Sequence, residues 1–267
     1  MRTTVRRLLS ILRASKRRTG PSAFEDFAGT WVEAEATVSG YASPEIIDRV
    51  LQASLAVDEG RAVHERDSVN FDRIHYSWPV LAALLWSATS NHGSLRVLDV
   101  GGSLGTSFRQ NRHFLAAVPE VSWAIVEQPQ FVVAGRTHFE NEALTFHETI
   151  AQASQTRPTI ALLASSLQYF EDPSAILEAV SRTEAVTLIL ERTPVHNGVS
   201  DLLTIQSVPP SIYEAYYPAW ILARRLLLQR LRARGWEMVE GFQAPESPMI
   251  TSGGTEFTWE GFILKRG

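Results

Sequence analysis

The chain has no cysteine among its 267 residues. This excludes disulfides, cysteine-ligated zinc or iron–sulfur centres and a cysteine nucleophile, and we assign no metal ligands. Uninterrupted apolar runs are also short, well below the ~18 residues that a membrane-spanning helix needs. A hydrophobic content of 45% is ordinary for a protein with a sizeable core. These features predict a folded protein that fits a reducing, cytoplasmic compartment.

Acidic residues are missing from the first 18 positions, which hold seven of the 25 basic residues. The remaining chain therefore carries 18 basic and 29 acidic residues, a net charge of −11. Because phosphate neutralisation needs a cationic face, this acidic body disfavours a nucleic-acid partner.

Residues 1–18 form a basic arm with four apolar residues at helical spacing, Val5, Leu8, Leu9 and Leu12. A helix there would suit peripheral contact with an anionic membrane, at the inner face if the protein is cytoplasmic. A frayed, solvated arm fits the same residues equally well, and an organellar transit peptide is a third reading.

Three regions follow from the pattern of the chain: an amphipathic or disordered arm (1–20), an N-terminal helical cap (21–93) and an α/β domain (94–267). In the cap, Ser43-Pro44-Glu45 is typical of a helix start. A second helix from Trp78 through Trp86 is apolar nearly all round, which predicts that it is buried.

From Leu95 onward, short apolar strands alternate with helices, as in a parallel sheet with crossover helices. An irregular aromatic stretch should follow Glu191, and then a long helix near 219–234 that ends at Gly235. Two final strands should form an antiparallel pair. The earlier strands are predicted at 95–100, 121–127, 143–147, 158–165 and 185–191.

A glycine turn follows the first of these strands, in the order Asp99, Val100, Gly101, Gly102, Ser103, Leu104, Gly105. Glycines there let the backbone approach a ligand closely. Glu127 ends the second strand, 22 residues past Gly105, where a carboxylate can accept hydrogen bonds from both hydroxyls of a ribose. A tight turn without a ligand is the alternative.

The loop chemistry separates two nucleoside cofactors. A dinucleotide lays its pyrophosphate on the helix N-terminus through G-x-G-x-x-G, and here Ser103 and Thr106 replace the second and third glycines. S-adenosylmethionine (SAM) carries a sulfonium instead of phosphates, so the nearby Asp99 suits it. We therefore predict SAM rather than NAD.

Several segments of the chain together resemble a bacterial family of SAM-dependent methyltransferases associated with surface-polysaccharide biosynthesis. The resemblance implies a Rossmann-like class I methyltransferase fold, with a mostly parallel seven-stranded sheet, a C-terminal antiparallel hairpin and SAM at Gly101, Gly102, Gly105 and Glu127. It supplies no acceptor or mechanism. The segments are HERDSVNF (64–71), VLDVGGSLGTSF (97–108), WAIVEQPQFV (123–132), SSLQYFEDP (165–173), ERTPV (191–195) and IQSVPPSIYEAYYPAW (205–220).

Other residues at the strand ends are candidates for the cofactor site. Glu148 is placed to contact the adenine amino group, although an exposed acid without a role fits equally. Asp172 and Pro173 should begin a helix. The full predicted cofactor set is Asp99, Gly101, Gly102, Ser103, Gly105, Glu127, Gln128, Glu148, Ser165, Ser166 and Gln168.

Methyl transfer needs alignment of the acceptor, and a base only where the acceptor must lose a proton. His196 is the leading base candidate because its ordinary pKa lies near neutrality, with Glu191 and Arg192 beside it. An exposed loop histidine and a Glu191–Arg192 pair are the alternatives.

Aromatic residues supply the predicted acceptor contacts. Tyr213 and Tyr217 can stack on a sugar, or can simply be core, and Arg66 can fold over the site from the cap or form a structural ion pair. The expected activity is methyl transfer to a small-molecule or glycan-type acceptor. A NAD(P)-linked oxidoreductase on the same fold and a non-catalytic, membrane-associated scaffold of a glycan-assembly complex remain as alternatives.

Overall fold

A computed structural model of the protein describes residues 23–38, 40, 44–209, 212–244 and 248–267. The predicted arm and the proposed helix cap at Ser43 lie outside these residues. Within the described ranges, no helix is long and apolar enough to cross a membrane.

The N-terminal part mixes helices with short strands. Strand β1 pairs with a later strand of the main sheet, and β2 and β3 form a separate hairpin. The elements are β1 (Ala23–Asp26), α1 (Trp31–Glu35), α2 (Pro44–Asp58), β2 (His64–Arg66), β3 (Val69–Phe71) and α3 (Trp78–Ser90).

Strands and helices then alternate up to residue 196. The parallel strands are buried along most of their length because helices cover both faces of the sheet. The elements are β4 (Ser94–Val100), α4 (Thr106–Leu115), β5 (Glu120–Val126), α5 (Pro129–His138), β6 (Leu144–His147), α6 (Ile150–Ala153), β7 (Ile160–Ala164), α7 (Pro173–Ser181) and β8 (Thr187–His196).

The last part of the chain is mainly β. It contains β9 (Leu202–Val208), β10 (Ala215–Ala223), α8 (Arg224–Arg232), β11 (Trp236–Gln243), β12 (Met249–Ile250) and β13 (Glu256–Arg266). Helix α8 ends just before Gly235, whose φ of +82° is the left-handed conformation expected at a helix end.

Seven strands of the sheet run in the order β6-β5-β4-β7-β8-β13-β11. The first five are parallel, β13 is antiparallel to β8, and β11 pairs antiparallel with β13. A mostly parallel seven-stranded sheet closed by a C-terminal antiparallel hairpin is the predicted Rossmann-like class I methyltransferase fold. That prediction is confirmed.

Strand β8 is longer than its neighbours and carries a second, smaller sheet. Strand β13 pairs along one edge of β8, whereas β7 pairs with the first half of the opposite edge. Beyond Arg192, which has a φ of +50°, β10 takes over that edge at Val195 and His196. The extension β10-β9-β1 therefore begins where β7 ends, at the edge formed by the carboxyl ends of the parallel strands.

Two predictions about the N-terminal region are corrected. The segment 21–93 is not wholly helical, because β1 joins the extension and the hairpin β2–β3 lies between helices. Helix α3 is not buried all round: it packs one face on the sheet, and Trp78 and Trp86 keep exposed fractions of 61% and 38%. Apolar sequence on the outer face of α3 therefore reflects surface aromatics rather than core.

Two further corrections concern the region after Glu191. The predicted irregular stretch contains the end of β8 and the whole of β9. The predicted helix near 219–234 covers only 224–232, since the residues before it belong to β10 and pair with β9. Tyrosine, tryptophan and isoleucine favour a strand when a pairing edge is present, and this tertiary context overrode the helical pattern.

Candidate functional site

The glycine turn lies at the carboxyl end of β4, between the ends of β5 and β7. Gly101 and Gly105 adopt left-handed φ angles of +76° and +99°, and Ser103 has a φ of +54°. The Gly101 N–H donates to the Val126 carbonyl at 2.9 Å, which fixes the turn to β5. The turn is therefore at the topological switch point, where open parallel sheets bind ligands.

Two of the glycines are required by the protein's own side chains. A Cβ on Gly101 would lie 2.5 Å from the Ser166 Cβ, and a Cβ on Gly102 would lie 2.6 Å from the Asp99 carboxyl carbon. The Ser166 hydroxyl donates to the Val100 carbonyl at 2.6 Å. The loop after β7 therefore packs directly against the glycine turn.

Asp99 is fully buried beneath the turn. Its Oδ2 accepts a hydrogen bond from the Trp123 indole at 2.9 Å, and Oδ1 has no partner among the described residues. Burial, together with the nearby Glu127 and Glu191 carboxylates, raises the pKa of Asp99 to about 7, although the Trp123 hydrogen bond lowers it. Three carboxylates therefore give the ends of these strands a negative potential, which suits a cationic ligand.

Glu127 lies directly after β5 and faces the turn. Its Oε1 accepts from the Ser103 N–H at 3.0 Å, and its Oε2 accepts from the Gln128 N–H at 2.9 Å. Burial raises the pKa of Glu127, while these two backbone hydrogen bonds lower it. Each carboxylate oxygen has a second lone pair, so Glu127 retains acceptor capacity for a pair of hydroxyls.

The two other candidates at this edge are exposed. The Gln128 side chain accepts from the Gln130 amide at 2.7 Å, and the Glu148 N–H donates to the Gln152 side chain at 3.1 Å. Gln128 follows β5, the neighbour of β4, and Glu148 follows β6, one strand farther from the turn. Their contact with a cofactor stays a prediction.

The loop after β7 places three candidates beside the turn. Ser165 has a φ of +57°, and its carbonyl and hydroxyl accept from the Gln168 amide at 3.0 and 3.3 Å. Gln168 is completely buried, and its Oε1 has no partner among the described residues. Asp172 begins α7, where its side chain accepts from the Ser174 N–H at 2.8 Å, as predicted.

Three tyrosines form a cluster between this loop and the extension. Tyr169 and Tyr217 pack edge to face with ring centroids 5.2 Å apart, and Tyr213 hydrogen-bonds to Tyr217. Tyr213 and Tyr217 are 3% and 8% exposed. Burial, together with the Asp67 carboxylate, raises the pKa of Tyr169 to about 12.

The tip of the β2–β3 hairpin lies beside the tyrosine cluster. The Asp67 charge also raises the pKa of Tyr213 and Tyr217, which places it close to all three phenols. Arg66, beside it, lies over the Phe71 ring at 5.9 Å. Asp67 and Ser68 have φ angles of +52° and +63°, so the hairpin tip is a tight turn of non-glycine residues.

The catalytic candidates are divided between two places. Glu191 is opposite Ala164 at the end of β7 and close enough to raise the pKa of Asp99, and Arg192 lies over the Trp259 ring at 5.9 Å. His196 lies five residues beyond Glu191, up to about 16 Å along an extended strand.

Both ring nitrogens of His196 are engaged locally. One contacts the Ser200 carbonyl at 2.9 Å and the other accepts from the Gly198 N–H at 3.3 Å. The side chain lines an open depression of about 680 Å³ formed with the loop after β8 and the start of β13. Its role as a base therefore stays a prediction that the placement does not strengthen.

Sequence reasoning missed a buried polar cluster behind the turn. The Glu65 carboxylate accepts from the Thr106 hydroxyl and lies 3.7 Å from the Arg109 guanidinium. Glu65 and Arg109 are 2% and 5% exposed. The available signal was a glutamate within the distinctive segment HERDSVNF and an arginine one turn into the helix after the glycines.

Comparisons with known proteins bear on the fold only weakly. No protein-family model matches the chain, and no curated protein matches it. Solved structures align along much of its length. One is the N-terminal domain of EvdMO1, crystallised in the presence of S-adenosylhomocysteine (SAH) and D-fucose. It is 16% identical with a TM-score of 0.48, and the alignment covers 84% of this chain and 99% of that domain.

Two other solved structures are similar at the same level. A SAM-dependent methyltransferase from Clostridium acetobutylicum is 9% identical, with a TM-score of 0.47 and coverage of 81% of this chain and 98% of its own. CalS10, an amino pentose methyltransferase from Micromonospora echinaspora, is 13% identical, with a TM-score of 0.44 and coverage of 80% and 96%. Likenesses of this size carry no functional argument, and the fold assignment rests on the strand order.

Proposed function

We propose that the protein is a SAM-dependent methyltransferase that acts on a small-molecule or glycan-type acceptor. The observation that carries this proposal is the position of the glycine turn: it lies at the switch point of a class I sheet, with the Glu127 carboxylate facing it and buried Asp99 beneath it. A nucleoside with a positive sulfonium matches this arrangement of acceptors and negative charge.

The residues present fit SAM. Glu127 would hold the ribose hydroxyls, and the orphaned Oδ1 of Asp99 and Oε1 of Gln168 give buried acceptor capacity near the turn. Bound there, SAM would supply an electrophilic methyl group. The chain's own part is to align an acceptor with that group and to exclude water.

The acceptor site is proposed at the tyrosine cluster. Tyr213, in the loop before β10, and Tyr217, in β10, pack near the loop after β7, and Arg66 lies at the hairpin tip next to Asp67. Phenol hydroxyls beside a carboxylate suit an acceptor rich in hydroxyl or amino groups. A role in surface-polysaccharide biosynthesis is proposed from the family resemblance alone, as is peripheral membrane contact through residues 1–18 from their sequence.

The main alternative on this fold, a NAD(P)-linked oxidoreductase, is disfavoured by charge. A dinucleotide would bring its pyrophosphate to the first turn of α4. The buried Glu65 carboxylate already lies against that turn, and Asp99, Glu127 and Glu191 surround the strand ends. Repulsion between these carboxylates and a pyrophosphate opposes dinucleotide binding.

Calorimetry tests the proposal directly. We expect saturable, one-to-one binding of SAM and of S-adenosylhomocysteine (SAH), and no saturable heat from NAD or NADP. Incubation with SAM and a panel of sugars and amino sugars should then release SAH with at least one of them. A folded sample that binds neither SAM nor SAH would contradict the proposal and leave the scaffold alternative.

Replacing Glu127 tests the proposed ribose contact. Glu127→Ala should weaken SAH binding by about 1 to 3 kcal/mol, because charge-assisted hydrogen bonds to the hydroxyls are lost. Glu120→Ala is the matched control, since Glu120 is an exposed acid at the opposite end of the same strand. Equal SAH affinity in the two variants, measured by calorimetry, would remove Glu127 from the site.

A further inference from the structure

A buried carboxylate joins the β2–β3 hairpin to the helix that follows the glycine turn. The Glu65 side chain accepts a hydrogen bond from the Thr106 hydroxyl and lies 3.7 Å from Nη2 of Arg109. Thr106 and Arg109 are three residues apart on α4, so they share one face of its first turn. Glu65 therefore contacts the start of α4 from an element 41 residues earlier in the chain.

Arg109 also contacts buried residues of the N-terminal part and of the parallel sheet domain. Its Nη2 donates to the Ser54 hydroxyl at 3.0 Å, and its guanidinium lies 4.8 Å from the centre of the Phe139 ring. Asp58 is farther away, at 4.0 Å, and is partly exposed. Buried ion pairs contribute little net stability against an apolar replacement, so this pair is better explained by the geometry it imposes.

The glycine turn is held from both sides by carboxylates. On one side, Glu127 accepts from the Ser103 N–H. On the other, Glu65 holds Thr106, the first residue of α4. The intervening cap position is Gly105, which has no side chain with which to cap the helix. Glu65 accepts from the Thr106 side chain rather than from a backbone N–H, so this contact holds the first residue of α4 in place without capping the helix.

We propose that Glu65 is a positioning residue of the SAM site, and that through it the N-terminal hairpin holds the glycine turn in its cofactor-binding geometry. This inference rests on the proposed function. Glu65 acts through Thr106 and Arg109 and does not itself touch the cofactor. The same hairpin carries Arg66 and Asp67 at its tip, so it lies between the glycine turn and the tyrosine cluster.

Substitutions that keep the side-chain size test whether the Glu65–Thr106 hydrogen bond, rather than packing, holds the turn. Thr106→Val removes the hydroxyl that Glu65 accepts from, and Glu65→Gln removes the negative charge while keeping the shape. Calorimetry at a temperature where each variant is folded should show SAH binding about 10-fold weaker for Glu65→Gln and about 5-fold weaker for Thr106→Val. Thr106→Ser, which keeps the hydroxyl, should bind SAH within about twofold of the wild type.

Asp58→Asn is the matched control. Asp58 also faces Arg109, but it makes no contact with Thr106, so its loss should lower the melting temperature without changing SAH affinity by more than about twofold. A second readout needs no cofactor: amide hydrogen exchange at residues 101–108 of the free protein. It should become about 10-fold faster in Glu65→Gln and Thr106→Val and stay unchanged in Asp58→Asn.

The outcomes separate this inference from the proposed function. Wild-type protein that binds no SAH overturns the proposed function, and exchange at 101–108 still decides whether Glu65 fixes the turn. Wild-type affinity and exchange in both Glu65→Gln and Thr106→Val would overturn the positioning role. Equal losses in Asp58→Asn would also overturn it, because they would trace to general destabilisation.

Discussion

The Gly101→Ala variant is expected to lose SAH affinity by about 100-fold, or about 2.7 kcal/mol. A Cβ at this position would lie 2.5 Å from the Ser166 Cβ, on a backbone with a φ of +76°. Either the loop after β7 or the glycine turn must then move, and both border the proposed cofactor site. Calorimetry with SAH, together with urea unfolding to confirm the native fold, measures the effect.

Gly60→Ala is the control for backbone strain. Gly60 has a φ of +74°, nearly that of Gly101, but nothing lies within 4 Å of the added Cβ. It should lose about 1 kcal/mol of unfolding free energy and keep its SAH affinity. Adding Ser166→Gly to Gly101→Ala should restore part of the binding. A Gly101→Ala protein with wild-type affinity would mean that the turn does not form the site.

A second large effect is expected from Asp99→Asn on the pH dependence of stability. The pKa of Asp99 is raised from 3.8 to about 7 in the folded protein, mainly by burial. Between these values the folded state binds more protons than the unfolded state, so the free energy of unfolding falls as the pH rises. From pH 5 to pH 8, Asp99 alone should remove about 2 to 3 kcal/mol.

Urea unfolding at the two pH values checks this expectation. In Asp99→Asn the loss of stability between pH 5 and pH 8 should shrink by that amount, because the neutral amide has no charge to bury. The remaining pH dependence comes from other groups, including Glu65 and Glu127, whose pKa values are also raised by burial. Identical pH dependence in the variant and the wild type would show that Asp99 does not titrate in this range.

The parallel half of the fold was predictable because its signals are local. Each strand from β4 to β8 is a short segment rich in apolar residues and is separated from the next by a helical segment, and the glycines of 101–105 follow directly from one of them. The carboxyl ends of parallel strands share one edge, so Asp99 and Glu127 could be placed together without knowing any side-chain contact.

The extension could not be predicted in the same way. Strands β9 and β10 form because they pair with each other, and because β9 also pairs with β1 and β10 with β8. The edge of β8 that β10 uses is free only beyond the end of β7. The sequence of β10 and the residues ARRLLLQRLR that follow favours one continuous helix. In the structure only residues 224–232, helix α8, are helical. Nonlocal pairing decided this region against local preference.

The candidate site likewise contains residues that local sequence predicts and contacts that only the fold creates. Sequence order predicted the residues at the strand ends, but the Glu65–Thr106 contact joins segments 41 residues apart, and no spacing rule links them. The chemistry of His196 predicts a base, but its position beyond β7 depends on how far β8 extends. Tyr169 carries no local signal of its own, because the residues that border it, Asp67 and Tyr217, come from distant parts of the chain.

The extension meets the parallel sheet at only two register pairs, Leu222 with Val195 and Ala223 with His196. Its own ladder, by contrast, joins β10 to β9 through seven pairs. Changes confined to β1, β9 and β10 would alter the proposed acceptor site while leaving the proposed cofactor site in the parallel sheet as it is. Divergent relatives of this protein should therefore differ most in β1, β9 and β10 and least in the stretch from β4 to β5.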